Sequence, residues 1–397
     1  MIQSTHYELR IGDRVLALKL PSHAIELRPN TITTDRTMQD WIESCLNEPM
    51  EFPPLPLAIL DDDRIAIAVE DGVPEANAIV CALVRYLVQH GTQQTLITVV
   101  LGSDNQDWRD RLLGELANHD LSEVRVVKHD PTNQESHGYV GASQSADPIY
   151  IQRDLFEAEV VLPIYCIRTP ESPSASDKYG MSPSFANADT QHRWNLAWLE
   201  DNVQHLHLQE KLSHEAGWLM GVQFAIAVVP SSDGRVSAIL GGNADHVFRQ
   251  ASELVRIESK PLNGNHSLVL AFVEGDRSQQ SWMNIARAAA HADMQLDSQG
   301  SIVICSDIDH LSIGMQQLAT DEQDEHLQRR LLKSDLEDAF AAAVISSIQG
   351  RRSVYLMSKI PASQIESLGL AFIENAEDIE RLCGSADGVC AMRSAQF

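Results

Sequence analysis

Short apolar runs alternate along the chain with segments in which apolar residues keep helical spacing. In the first half, the runs predict β-strands at residues 64–69, 96–101, 124–127 and 160–164. Helical spacing follows at residues 74–87 and 107–118. Strands that alternate with helices predict a mainly parallel sheet covered on both faces.

Antiparallel hairpins are predicted where alternating segments flank a turn. One hairpin joins residues 7–11 and 15–20 around Gly12-Asp13, and another joins residues 225–229 and 235–240. Helices are predicted at 37–47 and 244–254. The second half repeats the α/β pattern, with strands predicted at 268–273, 302–305, 354–357 and 370–373, and helices at 281–292, 325–349 and 362–368.

The chain length and a polar segment predict two domains. A chain of 397 residues exceeds one ordinary core. Residues 260–266 are polar and rich in Gly, Pro and Asn, which is typical of a boundary. The predicted fold class is α/β, with one α/β domain at 1–262 and another at 263–397, each with a mostly parallel sheet plus hairpins.

Composition narrows the classes of partner. The net charge is −26 and the pI is about 4.8, which disfavours binding to nucleic acid or to an anionic membrane surface. The start of the chain lacks the pattern of a signal peptide, no apolar run has the length of a membrane span, and the six cysteines are scattered without a CxxC. We therefore expect a cytoplasmic protein with reduced thiols and a small-molecule ligand.

Polar residues follow the predicted strands where ligands bind in parallel sheets. The carboxyl ends are followed by Glu70-Asp71, by Gly102-Ser103-Asp104, and by the loop 164–195. Glu70 and Asp71 would serve as ligand contacts or as partners of a helix dipole. Asp104 would be a general base if burial raised its pKa, or a residue at a helix start.

Several phrases, in order, resemble the nickel-dependent lactate racemase family. They are YELRIGDRVLALKLP (7–21), CLNEPMEFPPL (45–55), the stretch from Gly141 to Ile164, and GVQFAIAVVPSSDGRVSAILGGNADHVFRQA (221–251). The resemblance implies two α/β domains with a cleft between them, and an isomerase that removes hydride from a 2-hydroxy acid and returns it to either face. It also implies a nickel pincer nucleotide tethered to a lysine, two histidine bases, and an arginine and a lysine that hold the substrate carboxylate.

The chain departs from the family at most of these positions. Val69 to Pro74 lacks the family's arginine, Asp104 stands in place of one histidine base, and residues 167–171 contain no second histidine. The resemblance aligns Lys178 either with the tethering lysine or with the arginine beside it, and places His192 roughly where the nickel-ligating histidine lies. In the second domain it places Arg287 near the substrate-binding lysine, with Met283 and Asn284 near a tyrosine and a glutamine.

Each of these residues also has a structural interpretation. Lys178 would be a nucleophile, or a solvated loop lysine that Asp177 keeps charged. His192 would bind metal, or would pack on a helix capped by Thr190. Arg168 and Arg287 would bind a carboxylate or phosphate together, or form surface ion pairs.

Two functions follow from these readings. One is a divergent racemase or epimerase that depends on the nickel pincer nucleotide and acts on a 2-hydroxy acid other than lactate. In this function Asp104 and Lys178 would be catalytic, and His192 would bind the metal. The other is a family member that binds a small anionic ligand or nucleotide in the cleft without racemising it. The residues expected to contact a ligand under either reading are Glu70, Asp71, Arg168, Asn284 and Arg287.

Overall fold

The structure, a computed structural model, describes residues 4–29, 36–103, 106–144, 146–169, 171–175, 177–201, 203–255, 266–320 and 326–397. The strands are β1 Ser4–Ile11, β2 Arg14–Pro21, β3 Ile25–Leu27, β4 Ile65–Val69, β5 Ile97–Leu101, β6 Arg125–Lys128, β7 His137–Ala142, β8 Pro148–Gln152, β9 Val160–Cys166, β10 Phe224–Pro230, β11 Val236–Asn243, β12 His266–Phe272, β13 Leu296–Cys305, β14 Ser353–Met357, β15 Ala371–Phe372 and β16 Val389–Met392. The helices are α1 Met38–Asn47, α2 Ala76–Gln89, α3 Gln106–Asn118, α4 Arg153–Phe156, α5 Ala188–Leu199, α6 Val203–Leu219, α7 Ala244–Val255, α8 Trp282–Asp293, α9 Ile313–Thr320, α10 Leu327–Leu332, α11 Ala339–Gln349, α12 Ala362–Ser367 and α13 Ala376–Ser385.

The first sheet has the strand order β11-β10-β9-β4-β5-β6. Its strands are parallel except for β11, which pairs antiparallel with β10. Every residue of β4 and of β10 is buried. Apolar side chains of α1, α2 and α3 cover one face, and those of α6 and α7 lie against the other. The predicted class of a mostly parallel α/β sheet with hairpins is confirmed.

The second sheet is parallel throughout, in the order β15-β14-β13-β12-β16-β3. Alanine-rich α8 and α11 cover one face. The β1–β2 hairpin and α13 cover the other. Although β3 and the hairpin precede the first sheet in sequence, β3 is an edge strand of the second sheet and the hairpin covers one of its faces. The division into domains at 1–262 and 263–397 stays a prediction, and residues 256–265 lie outside the described ranges.

Two sequence predictions about secondary structure are wrong. The helix predicted at 325–349 is two helices, α10 and α11, because Asp338 has a left-handed backbone (φ 58°) that starts a new helix. The helix that contains His192 is capped by Asn187 and not by Thr190, since the Asn187 side chain accepts a hydrogen bond from the Thr190 N–H. No helix in the described ranges is long and apolar enough to cross a membrane.

The carboxyl ends of the two sheets face each other. The Gln279 side chain, after β12, donates to the Val73 carbonyl after β4 at 3.3 Å. Gly234, after β10, packs on the backbone of Glu274: its φ is +75°, and a Cβ there would lie 2.3 Å from the Glu274 carbonyl. Glycine at position 234 therefore allows this close approach. Polar residues that follow the strands of both sheets are thus brought together at one junction.

Candidate functional site

Five of the residues selected from sequence lie together at this junction. Glu70 and Asp71 follow β4, and Arg168 follows the neighbouring strand β9, so adjacent parallel strands bring them to one edge. Asn284 and Arg287 come from the first two turns of α8 in the second sheet's layer. The Ser281 side chain caps α8 by accepting from the Asn284 N–H at 3.2 Å.

Glu70 and Arg168 form a buried ion pair. Arg168 Nη1 donates to Glu70 Oε2 at 2.8 Å, with side-chain exposures of 0% and 2%. The Cys166 N–H donates to the same carboxylate oxygen at 3.0 Å. Burial alone would lower the pKa of Arg168, but the negative charge of Glu70 raises it above its ordinary value. Glu70 therefore both neutralises Arg168 and fixes its position.

Arg287 is also buried but has neutral hydrogen-bond partners. Its Nη1 donates to Asn284 Oδ1 at 2.8 Å, and its Nε donates to the Pro173 carbonyl at 3.2 Å. Burial, and then the charge of Arg168, lower the pKa of Arg287 to about 10. The guanidinium is still charged at neutral pH. Among the described residues, no carboxylate lies within ion-pair distance of it.

Gly72 lies where the two guanidinium groups converge. A Cβ at position 72 would be 2.7 Å from Arg287 Nη1, 3.1 Å from Arg168 Nη2 and 3.3 Å from Asn284 Oδ1, and the φ of Gly72 is +78°. Two like charges held this close to each other repel, and a negative group that contacts both guanidinium groups would relieve the repulsion. The absence of a side chain at Gly72 thus allows the Arg168 and Arg287 guanidinium groups to lie close to each other.

Two carboxyl groups with raised pKa values complete the junction. Burial raises the pKa of Asp71, and the charges of Arg287 and Arg168 offset part of that effect. Burial also raises the pKa of Asp338 to about 7, with the charges of Glu337 and Asp71 adding to it. Asp338 precedes α11, and its side chain makes no capping hydrogen bond. Sequence reasoning missed Asp338 because it placed this residue inside one long helix.

Lys178 and His192 have partners outside this cluster. Lys178 Nζ lies 2.6 Å from Asp245 Oδ1 at the start of α7. Although burial lowers it, the pKa of Lys178 is raised overall by the hydrogen bond to Asp245. The charge partner is therefore Asp245 and not the adjacent Asp177, whose Oδ1 accepts from the Tyr179 N–H. His192 Nε2 lies 3.5 Å from Asp335 Oδ1.

The last candidates concern a general base and a metal centre. Asp104 lies outside the described residues. Within the described ranges, no group of three or more His, Cys, Asp or Glu side chains is arranged to hold a metal ion. All six cysteines are buried free thiols. The cluster formed by Glu70, Asp71, Arg168, Asn284 and Arg287 is therefore the candidate site.

Comparison with known proteins agrees with this architecture. Residues 11–169 match the family model of the lactate racemase N-terminal domain. The lactate racemase apoprotein from Thermoanaerobacterium thermosaccharolyticum is similar over 98% of this chain and 98% of its own, with 14% identity and a TM-score of 0.72. A Thermotoga maritima protein is similar over 91% of this chain and 97% of its own, with 14% identity and a TM-score of 0.65. No protein of curated function matches by sequence.

These similarities confirm the fold and the resemblance inferred from the sequence phrases. The structural matches, at 14% identity, speak for the fold, and fold alone does not specify an activity. The family match begins at the last residue of β1 and covers β2 and the strands up to the end of β9. Residues 11–169 thus match the lactate racemase N-terminal domain family, and the whole chain has the fold of a lactate racemase apoprotein.

Proposed function

We propose that this protein binds a small carboxylate-bearing ligand in the cleft between its two sheets. The proposal rests on the convergence of two guanidinium groups beside Gly72. Arg287 Nη1 and Arg168 Nη2 lie 2.7 and 3.1 Å from the position that a Cβ of residue 72 would take. Arginine pairs well with a carboxylate because its N–H groups form two parallel hydrogen bonds. This is the non-racemising alternative predicted from sequence.

The two arginines would have different roles in binding. Arg168 already has Glu70 as its counterion, so it positions the site and contributes through its remaining N–H groups. Arg287 has neutral partners and is the cation that a ligand anion would neutralise. Asp71 is the nearby competitor for Arg287, and burial, which raises the pKa of Asp71, favours the neutral carboxyl that does not repel an anion.

Racemisation of a 2-hydroxy acid is the second candidate, favoured by the match of residues 11–169 to the lactate racemase N-terminal domain. The family is nickel-dependent in general, and a nickel pincer nucleotide would need a lysine tether and a histidine ligand. The residues present fit that group poorly, because a tethering lysine reacts as the free amine whereas Asp245 keeps Lys178 protonated. His192 faces Asp335. We therefore propose no reaction step through this cofactor.

A binding titration tests the first proposal. DL-lactate and inorganic phosphate are each titrated into the protein by calorimetry, and we expect saturable binding of at least lactate. Arg287→Gln should weaken it about ten- to a hundredfold, since hydrogen bonds to charged groups are worth about 1.5–3 kcal/mol. The matched control is Arg64→Gln, which removes an exposed arginine before the other end of β4. Equal binding by the wild type and Arg287→Gln would reject the proposal.

A separate experiment tests the second candidate. The protein is expressed together with the enzymes that make the pincer nucleotide, and its intact mass and bound nickel are measured. Racemisation through the tethered cofactor requires a mass adduct that Lys178→Ala abolishes, together with bound nickel. An unmodified mass under those conditions would exclude the second candidate and leave the anion-binding proposal untouched.

A further inference from the structure

A cavity of about 270 Å³ lies where the loop after β9 meets α8 and the segment after β16. Its wall includes Thr169 from that loop, His291 from the last turns of α8, and Ser394 and Phe397 after β16. His291 is one helical turn beyond Arg287. Among the described residues that line the cavity, neither Arg168 nor Arg287 occurs, so this space is distinct from the carboxylate site proposed above.

His291 presents a hydrogen-bond acceptor in this cavity. Its Nδ1 lies 2.7 Å from the Ala395 carbonyl oxygen, which can only accept, so Nδ1 carries the proton. Burial lowers the pKa of His291 despite this hydrogen bond, and the ring is therefore neutral at pH 7. A neutral ring protonated at Nδ1 has a lone pair at Nε2. The nearest described partner of that atom, Thr169 Oγ1, is 3.5 Å away, at the limit of hydrogen bonding.

Ser394 also lines the cavity, and it carries a buried hydroxyl group. The residue is 1% exposed, and its Oγ has no hydrogen-bond partner among the described residues. Its backbone is held by a hydrogen bond from its N–H to Glu274 Oε2 at 2.9 Å, and its φ is 45°. A buried hydroxyl without a partner is unfavourable, and a ligand that pairs with it removes that penalty.

The rest of the wall is mainly apolar in area, although Arg28, Glu171, Gln295 and Arg393 also line it. Leu27, Met392 and Phe397 are buried, and Met294 is 46% exposed. Methionine side chains adapt to irregular apolar ligands. The volume lies just below the range of about 300–1,000 Å³ that is typical of drug-sized ligands, so the space suits a single ring or a short branched chain.

We propose that this cavity binds a small, mainly apolar molecule with one hydroxyl group, of which phenol is the simplest probe. The hydroxyl hydrogen is donated to His291 Nε2, the hydroxyl oxygen accepts from Ser394 Oγ, and the ring packs against Met392 and Phe397. The proposal is independent of anion binding at Arg287, and Arg287→Gln is expected to leave phenol binding in place.

Phenol and toluene are titrated into the full chain, with binding followed by saturation-transfer NMR. Toluene has a methyl group in place of the hydroxyl and fills nearly the same volume. We expect saturable phenol binding, and toluene binding about three- to tenfold weaker because it makes neither hydrogen bond. No saturable phenol binding, or equal affinity for phenol and toluene, would overturn the proposal.

Variants locate the site. Ser394→Gly removes the hydroxyl, and glycine adopts a φ of 45° without strain, so the fold should be retained. Ser394→Gly should weaken phenol binding about threefold or more and leave toluene binding unchanged. His291→Leu should likewise weaken phenol binding and leave toluene binding unchanged. The matched control is Ser172→Ala, which removes another buried hydroxyl without a described partner, one that does not line the cavity. Phenol binding that survives unchanged in both Ser394→Gly and His291→Leu would refute the site.

Discussion

Glu70→Gln would leave Arg168 as a buried cation without its anion. Both side chains of this pair are at most 2% exposed, so water cannot replace the lost charge. Removing one partner of a buried ion pair costs about 3–5 kcal/mol. Glutamine keeps one oxygen that can accept from Arg168 and from the Cys166 N–H, which places the expected loss in the free energy of unfolding near the lower end, about 3 kcal/mol.

Equilibrium urea unfolding measures this loss, and a double variant separates the unpaired charge from other effects. Glu70→Gln with Arg168→Met removes both charges and should recover at least half of the loss, because an apolar pair of similar size can replace a buried ion pair. Glu159→Gln breaks the exposed pair with Arg64 and should cost much less, since solvent screens that pair. The reasoning is refuted if Glu70→Gln is no more destabilising than Glu159→Gln.

Three further predictions follow from the site and its supports. Gly72→Ala should abolish lactate binding at Arg287 and destabilise the fold by about 1–3 kcal/mol, because the new Cβ meets a guanidinium group and the φ of residue 72 is positive. Calorimetry measures the binding and urea unfolding measures the stability, and unchanged lactate binding would contradict the prediction. Asp338 has a folded-state pKa of about 7, above its unfolded value, so its carboxyl group holds a proton in the native state that it loses on unfolding, and stability should fall as pH rises from about 4 to 7. Asp338→Asn should flatten this dependence of the free energy of unfolding on pH. An unchanged slope in the variant would count against the prediction. Asn187→Ala should cost about 1 kcal/mol as a lost helix cap, and Thr190→Ala clearly less; equal losses in thermal unfolding would show that the cap is misassigned.

The sequence predicted the strands of the first sheet well because burial on both faces gives them a simple signature. β4, β5, β9 and β10 read as continuous apolar runs, and each was located to within two residues at either end. By contrast, β3 and β16 are short strands that pair with each other although they lie at distant positions in the sequence. Pairing between distant segments leaves no local pattern, so these strands were missed.

The candidate site was predictable in part for a similar reason. The rule that ligands bind at the carboxyl ends of parallel strands selected Glu70 and Asp71 and drew attention to the loop that contains Arg168, whereas Arg287 and Asn284 came from the family resemblance. Asp338 was missed because its location depends on a backbone turn between α10 and α11.

The partner of Lys178 was missed for a different reason. Asp245 is 67 positions further along the chain, and nothing in the sequence marks the two residues as a pair. Charge pairs between distant segments are set by the folded arrangement, which local patterns do not encode.

The N-terminal hairpin and β3 have a consequence for how the chain is made. The apolar face of the hairpin, which includes Leu9, Leu18 and Leu20, is covered by the second sheet, whose strands are encoded at the opposite end of the chain. During synthesis this face leaves the ribosome well before the strands that cover it, because β12 and β16 follow the whole first sheet in sequence. The hairpin must therefore wait, exposed or held by a chaperone, until β12 and β16 emerge. A ribosome that stalls before β16 would release a chain with an uncovered, aggregation-prone N-terminal segment.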